Sequence, residues 1–394
     1  MQKRATRSLI VGLALLAGTL PASAQSASSS GENRFLLTGY GFTTYVDSDG
    51  EDGTESFNTG FVPIFLYRIS DKFLFEAELE FEFEDDAVET EVEYAQIDWL
   101  AHDNATVVMG KFLTPFGSFI EKLHPAWINK LPTFPLPYQH GQSLVPFGQT
   151  GAQLRGGIPL GDGYRRFTYS LFVSNGFQVS GHGHEEEEEE LEEDGHDDVF
   201  SMAEFSTSGG DDEGEGHGEE EEEELIFLDG SSFNNNKDTA LGGRVSVIPA
   251  QGFEIGASYL SGSYDEFGEL DSTMTGFDFT YHHDLFDVRG EWLDSQTERG
   301  FDDHGDALHD QEVESWYIQP SLRLSVIPSY AFNKLELVAR IAHLDWGAAD
   351  RDQTSVGLNY YFTGSSVLRV AWERLEETGH AAEDAVNVMF ALGF

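Results

Sequence analysis

The residues with the clearest capacity for chemistry are the imidazoles and carboxylates of one long acidic stretch. Between positions 181 and 224 the chain carries 22 acidic residues, four histidines and no lysine or arginine. Imidazole suits zinc, copper and nickel ions, and carboxylates can complete the coordination of such an ion. Two interpretations therefore stay open: an acidic loop that is only solvated, or a loop that captures a divalent transition metal. The candidate ligands are His182, His184, His196 and His217.

A shorter stretch repeats the same ligand types later in the chain. Residues 302 to 310 contain four aspartates and the histidines His304 and His309. We expect the two stretches to lie on one side of the molecule, where they would concentrate cations by an electrostatic attraction that salt weakens.

In residues 73 to 84, carboxylates also occupy every second position from 76 onward. Side chains alternate between the two faces of a β-strand, so the glutamates share one face and the phenylalanines share the other. A helix would scatter the glutamates round its circumference, and the pattern therefore predicts a strand. The glutamates are Glu76, Glu78, Glu80, Glu82 and Glu84.

The same alternation divides the chain after residue 34 into sixteen predicted strands. A change of phase in the fourth, near Ala95, predicts a bulge. Turns of mostly three or four residues at one end alternate with every long connection at the other, which is typical of outer-membrane β-barrels. The predicted strands are 35–46, 57–69, 73–84, 88–101, 106–111, 151–160, 164–175, 239–248, 253–260, 274–282, 286–294, 313–324, 335–344, 353–362, 366–374 and 385–394.

The first 24 residues have the features of a secretory signal. Three basic residues precede an apolar run at 9–20, and the small residues at 22–24 predict cleavage before Gln25. No later stretch has eighteen consecutive apolar residues, which excludes helical membrane spans. The absence of cysteine excludes disulfides and thiolate metal sites. A formal charge of −49 argues against nucleic acid as a partner. We predict that residues 25–394 form an all-β, antiparallel transmembrane barrel.

In a barrel of sixteen strands, the outward face meets lipid and the inward face lines a water-filled lumen. The glutamates at 76, 78, 80 and 82 would then face arginines on the inward face of later strands. Either these charges create a field across an open pore, or they form salt bridges that fill the lumen. The predicted pore-lining arginines are Arg155, Arg244, Arg289, Arg323, Arg340 and Arg369.

The connection between the fifth and sixth strands is too apolar and too rich in proline for a solvated outer loop. Its aromatic residues, among them Phe116, Phe119 and Trp127, need a surface to cover them. We expect this loop to fold into the lumen, where its basic residues either fasten it to the wall or select the solute. If it packs near the third strand, its lysines would pair with the glutamates there. The basic residues are Lys122, His124, Lys130 and His140.

Several short motifs resemble bacterial outer-membrane porins, in the broad group around phosphate-selective and siderophore porins. They are Gly-Lys-Phe-Leu-Thr-Pro-Phe-Gly at 110–117, Asn-Gly at 175–176, Leu-Asn-Tyr-Tyr-Phe at 358–362 and the final Gly-Phe. The resemblance implies a passive channel, a homotrimer and a third outer loop that acts as a constriction. The final phenylalanine resembles the insertion signal of such barrels. Phosphate channels use arrays of lysine and arginine, whereas this chain is acidic nearly throughout.

These features predict a porin for small hydrophilic solutes that prefers cations, in the outer membrane of a Gram-negative bacterium. Its His/Glu-rich outer loop, residues 177–236, would assist uptake of a divalent metal such as zinc, or bind calcium together with lipopolysaccharide. One alternative is a porin for siderophores or small organic anions held by the lumen arginines. Another is a barrel with a closed lumen that captures metal or adheres at the surface. We expect no required cofactor and no enzyme, since neither a nucleophile elbow nor a zincin signature occurs.

Overall fold

The computed structural model describes residues 34–394, apart from 50–52, 54, 85–86, 140–141, 181–224, 235, 302–307 and 348. Sixteen long strands form one closed antiparallel barrel, in which the last strand pairs with the first. No helix among the described residues is long and apolar enough to cross a membrane. The predicted all-β barrel of sixteen strands is therefore confirmed.

The described part of the chain contains twenty strands. Two short pairs, one in the loop after the fifth barrel strand and one in the loop after the seventh, lie outside the barrel sheet. The strands are β1 Phe35–Ser48, β2 Glu55–Arg68, β3 Phe73–Glu84, β4 Ala87–His102, β5 Ala105–Leu113, β6 Tyr138–Gln139, β7 Gln142–Ser143, β8 Gly148–Pro159, β9 Arg166–Ser174, β10 Phe177–Val179, β11 Leu228–Gly230, β12 Ala240–Ala250, β13 Phe253–Ser263, β14 Asp271–His282, β15 Phe286–Thr297, β16 Gln311–Arg323, β17 Leu335–Asp345, β18 Asp350–Thr363, β19 Ser366–Glu377 and β20 Glu383–Gly393.

The barrel strands extend beyond the predicted bounds mainly at the end with the long loops. Strand β3 agrees with its prediction at both ends, whereas β15 and β19 each continue three residues farther. Backbone pairing there continues above the region where apolar and polar side chains alternate. The alternation ends where the lipid ends, but hydrogen bonding between strands does not depend on lipid.

The alternating residues of β3 face the two sides of the barrel as predicted, with phenylalanines outside and glutamates inside. Phe73 and Phe83 are exposed on the outer surface, while Glu78 is buried on the inner side. Phe61 of β2 stacks on Phe81 with ring centroids 6.4 Å apart, so outward aromatic rings cover the strands beside them. Large apolar residues are exposed in the same outward positions around the barrel. This surface suits a hydrocarbon environment.

A bulge interrupts the pairing of β3 with β4, close to the predicted change of phase. Glu78 pairs with Tyr94 and Leu79 pairs with Val92, which leaves Glu93 as an extra residue on β4. The Tyr94 hydroxyl bonds to Glu78 and the Glu93 carboxyl bonds to Glu80, so both side chains lie on the inner face. The bulge therefore adds one carboxylate to the lumen wall.

The outward face can be tested at Val356, which is exposed in the middle of β18. We expect Val356→Lys to destabilise the barrel by about 2–4 kcal/mol, because it places a charge near the bilayer midplane. Glu376→Lys, at the loop end of β19, should cost about 1 kcal/mol or less. Urea unfolding in phospholipid vesicles, followed by tryptophan fluorescence, measures both. Equal costs would contradict the assignment of this face to lipid.

Candidate solute path in the barrel lumen

The described residues of the loop from 114 to 147 enter the lumen and pack against the inner faces of β13 to β19. The loop contains one turn of π-helix, Phe119–Leu123, and the hairpin of β6 and β7. Its apolar side chains bury themselves against inward apolar residues of the barrel, so the inward-folded third outer loop is confirmed. The cluster includes Phe116, Phe119, Ile120, Leu136 and Tyr138 of the loop and Leu260, Met274, Leu293, Val313 and Tyr317 of the wall.

One buried carboxylate, Glu291 of β15, ties two parts of this loop to the wall. Its oxygens accept hydrogen bonds from the backbone N–H and the hydroxyl of Ser118, at 3.0 and 2.9 Å. The hydroxyl of Tyr138 donates to it at 2.5 Å, and that of Tyr317 at 2.9 Å. Four hydrogen bonds, two from Ser118 and one from Tyr138 of the loop and one from Tyr317 of the wall, thus converge on one carboxyl group. Glu291 therefore fixes both the entry of the loop and its hairpin.

Gly117 permits this anchorage. It has a φ of +60°, in the left-handed region, and its N–H donates to the Ser258 hydroxyl at 3.0 Å. A Cβ atom on this residue would lie 2.0 Å from Oε2 of Glu291. Both the backbone conformation and the close approach of the carboxylate require glycine here.

Four of the six predicted pore-lining arginines lie beneath the loop. The side chain of Arg340 is 0% exposed and donates to the Thr133 carbonyl and hydroxyl at 2.9 and 2.6 Å. Arg369 donates to the carbonyls of residues 126 and 127 at 2.7 and 3.1 Å. Arg289 donates to the Asn129 side chain at 3.2 Å. Arg244 is buried between Asp278 and Glu254, at 2.6 and 2.9 Å.

Two of these arginines, Arg340 and Arg369, satisfy backbone carbonyls that the loop itself cannot pair. Prolines at 125, 132, 135 and 137 interrupt regular structure, so many loop carbonyls have no strand or helix partner. Barrel amides complete the set: Asn359 donates to the Lys130 carbonyl at 2.9 Å, and Gln353 donates to the Phe134 carbonyl at 3.2 Å. The alternation correctly places the four arginines on the inner face, but the loop separates them from the open lumen.

The loop's basic residues also bind the wall on which it packs. Lys122 pairs with Glu254 at 2.9 Å, and Lys130 pairs with Glu336 at 2.9 Å. The loop lies across the lumen from β3, so the conditional pairing of its lysines with the β3 glutamates is wrong. His124 is buried, with Nδ1 against the Ile120 carbonyl and its ring edge-on to Phe147.

The opposite wall, formed by β3, β4, β5 and β8, has a different charge balance. Among its described side chains, eight inward carboxyls stand beside two basic groups, a formal excess of six negative charges. Lys111 pairs with Glu91 at 3.3 Å, and Arg155 pairs with Asp98 at 2.5 Å. We call this surface the acidic wall. Its carboxyls are Glu76, Glu78, Glu80, Glu82, Glu89, Glu91, Glu93 and Asp98.

The wall beneath the loop is close to neutral by comparison. Within the described part of the chain, seven basic side chains at this level stand beside seven carboxyls. Arg323 remains half-exposed, 3.6 Å from Glu336. The basic residues are Arg244, Arg289, Arg323, Arg340, Arg369, Lys122 and Lys130, and the acids are Glu121, Glu254, Asp278, Asp287, Glu291, Glu336 and Glu373.

Space remains between the loop and the acidic wall. The side chains of Glu91 and Arg155 on that wall are 46% and 37% exposed, and Lys122 on the loop is 43% exposed. Four glutamates, at 80, 82, 89 and 91, line a common recess facing this space. The lumen surface that meets water is therefore mainly acidic.

Sequence reasoning missed several residues of this arrangement. Glu89, Glu91 and Glu93 alternate just as the β3 glutamates do, and the short connection from β3 to β4 predicts that the two sets face each other. Nothing in the sequence marks Glu291 as the anchor of the loop. His309 is exposed, while His140, His182, His184, His196, His217 and His304 lie outside the described residues. Metal binding by these histidines stays a prediction.

Solved structures that share this architecture are bacterial outer-membrane proteins. The anion-selective porin from Comamonas acidovorans has a TM-score of 0.58 at 11% identity, covering 91% of this chain and 99% of that one. A loop L8 deletion mutant of OmpT from Vibrio cholerae has a TM-score of 0.54 at 10% identity, covering 92% and 100%. OmpF of Salmonella typhi, in complex with daunomycin, has a TM-score of 0.53 at 10% identity, covering 91% and 97%.

At these identities the likeness establishes the fold, which is that of a sixteen-stranded outer-membrane porin. A comparison with known protein families finds no family model that matches the chain, and a comparison with curated proteins finds no match.

Gly117→Ala tests the anchorage of the loop. We expect the added methyl to displace Glu291 or the loop entry and to raise single-channel conductance in planar bilayers. Gly161→Ala is the matched control, because Gly161 also has a positive φ, +81°, but nothing lies within 4 Å of its Cβ position. Both variants carry a backbone cost of about 1–2 kcal/mol. Unchanged conductance in Gly117→Ala would show that Glu291 does not hold the loop in place.

Proposed function

We propose that this protein is a passive outer-membrane porin for small hydrophilic solutes that prefers cations. Its solute path runs between the inward loop and the acidic wall. The observation that carries the proposal is the difference between the two walls. The loop covers and neutralises the arginine-bearing wall, and the acidic wall stays in contact with water.

Fixed charges on one wall are enough to select ions in a narrow aqueous path. Two unit charges 5 Å apart interact by about 0.8 kcal/mol even in bulk water, which exceeds thermal energy. Several carboxylates act together, and low-dielectric walls concentrate their field on the path. The Debye length is about 8 Å at physiological salt, so charges across the remaining space act on a passing ion with little screening.

A porin for siderophores or small organic anions is the less favoured alternative. Such solutes would need exposed guanidinium groups, and four of the six inward arginines are buried by the loop. Arg155 and Arg323 remain accessible, but each lies beside a carboxylate, at 2.5 and 3.6 Å. The selectivity in the name of the Comamonas protein belongs to that protein. A closed barrel for adhesion or metal capture is disfavoured by the exposed side chains inside the lumen.

The outward apolar surface supports a location among the lipids and lipopolysaccharide of a Gram-negative outer membrane. A homotrimer is the assembly we propose, since one of the similar OmpT structures is described as a trimer form. The acidic loop, residues 177–236, would add a reservoir of cations at the outer mouth. Its histidines would favour zinc and other divalent ions over calcium.

Ion selectivity tests the solute path directly. We expect the native protein to be cation-selective in a tenfold KCl gradient across a planar bilayer. Replacing Glu76, Glu89 and Glu91 by Gln removes three inward carboxylates from the acidic wall and should reduce the reversal potential by about half or more. The matched control replaces Glu312, Glu314 and Glu376 by Gln, which removes three carboxylates from the outer surface. Anion selectivity of the native protein, or equal effects of the two triple variants, would overturn the proposal.

Deletion of residues 181–224 tests the metal reservoir. We expect the shortened protein to form a channel of similar selectivity, since the acidic wall is intact, and to bind fewer zinc ions. Equilibrium dialysis against zinc chloride measures the bound metal. If the stoichiometry and affinity stay the same, the loop has no role in binding zinc.

A further inference from the structure

Three potential metal ligands converge on the outer surface of the barrel, away from the lumen. They are His343 of β17 and Asp350 and Asp352 of β18. One ligand atom from each lies within 4.8 Å of the other two, and this is the only such group of three among the residues that the structure describes. His343 Nδ1 lies 2.8 Å from Oδ1 of Asp352.

Strand register explains why these side chains meet. His343 and Asp352 are direct partners in the antiparallel pair of β17 and β18, and Asp350 is two residues from Asp352 on the same face. Ile341 and Val356, which share that face, are exposed on the lipid side. The three ligands therefore project outward, and all are partly or fully accessible.

The group lies at the rim of the membrane-facing surface. Asp350 is the first residue of β18, and His343 is two residues from the end of β17. The outward Trp316 contacts the His343 ring, with centroids 6.1 Å apart. Tryptophans gather where the hydrocarbon meets the headgroups, and charged side chains are costly deeper in the bilayer. The ligands are thus at a depth that water and ions reach.

The surroundings are acidic and partly preorganised. Asp345 pairs with Asp350 across the strands, and Glu376 pairs with Asp352 on the other side. The Thr378 hydroxyl donates to Oδ1 of Asp350, which orients this carboxylate while leaving its second oxygen for another partner. A fixed carboxylate of this kind is typical of the hydrogen bonding that supports metal ligands.

We propose that His343, Asp350 and Asp352 bind a divalent cation of the zinc type on the outer rim of the barrel. Imidazole with two carboxylates suits zinc, nickel or copper, whereas calcium and magnesium prefer oxygen ligands alone. Ligand atoms at 2.0–2.1 Å from a tetrahedral zinc are about 3.3 Å apart, within the range of separations seen here. Three protein ligands leave one position for water or a lipid phosphate. The site lies outside the lumen, so this inference does not depend on the proposed ion selectivity.

The ordinary alternative is a His–Asp hydrogen bond without metal, and the chain contains such a pair for comparison. His282 Nδ1 lies 3.3 Å from Asp287, and no third potential ligand joins them among the residues that the structure describes. His282→Ala is therefore the matched control for His343→Ala. His343→Gln, which keeps the size of the side chain, guards against a failure to fold.

Isothermal titration with zinc chloride, on the full chain folded in detergent micelles, tests the site. We expect His343→Ala and His343→Gln to lose one zinc equivalent relative to the native protein and to His282→Ala. Asp350→Asn and Asp352→Asn should each weaken the same site by about tenfold or more. Equal stoichiometry and affinity in the two histidine-to-alanine variants would overturn the proposal.

A second, local measurement separates this site from any zinc bound elsewhere on the chain. Bound copper(II) quenches nearby tryptophan emission, and Trp316 is in contact with His343. Quenching that saturates at low copper should be lost in both Trp316→Phe and His343→Gln and kept in His282→Ala. If the quenching persists in His343→Gln, the proposed metal site at His343 is wrong. Displacement of zinc by equimolar calcium would also overturn the proposal, since it would indicate a merely acidic surface.

Discussion

The inward loop depends on donors from the barrel wall, and the electrostatics of the lumen follow from this dependence. A loop interrupted by prolines carries carbonyl groups that must find donors when they are buried. Arg340 and Arg369 supply them, with four hydrogen bonds to Thr133 and to the carbonyls of residues 126 and 127. An arginine used in this way is removed from water and from any solute. The same contacts that hold the loop therefore remove positive charge from the water-exposed surface of the lumen.

Because positive charge is removed from one wall, the negative charge of the opposite wall is no longer balanced. In a barrel without this loop, the arginines of one wall and the carboxylates of the other would produce electric fields that partly cancel in the lumen. Here Lys122 and Lys130 are bound to Glu254 and Glu336, and the buried arginines are bound to loop or wall oxygens. The carboxylates of β3 and β4 keep only Lys111 and Arg155 beside them among the described residues. The loop thus sets the charge balance of the lumen surface that meets water, and it also occupies part of the lumen.

The sequence predicts most of this fold because alternation is a local property. The two faces of the strand from Phe73 to Glu84 can be recognised from its own residues, without knowing which strands it pairs with. Repetition of the same pattern along the chain predicts sixteen strands. Alternation also predicts correctly that Arg340 and Arg369 point inward. It cannot predict what covers them, because Arg340 meets Thr133 across 207 residues of chain. The loop's apolar composition shows that it needs a surface, but both walls were available to it, and only packing decides between them.

The three ligands on the outer rim are a second case in which single residues are visible in the sequence but their contacts are not. Each of His343, Asp350 and Asp352 is unremarkable in the sequence, and no short motif joins them. Their meeting follows from a short connection between two antiparallel strands, which places residues at similar distances from it opposite each other. The sequence therefore contains the ligands, but their proximity can be recognised only when the register of β17 and β18 is known. Register also explains the bulge in β4: Glu93 continues the alternation of Glu89 and Glu91, and one extra residue brings Tyr94, which strict alternation would assign to lipid, to the inner face beside it.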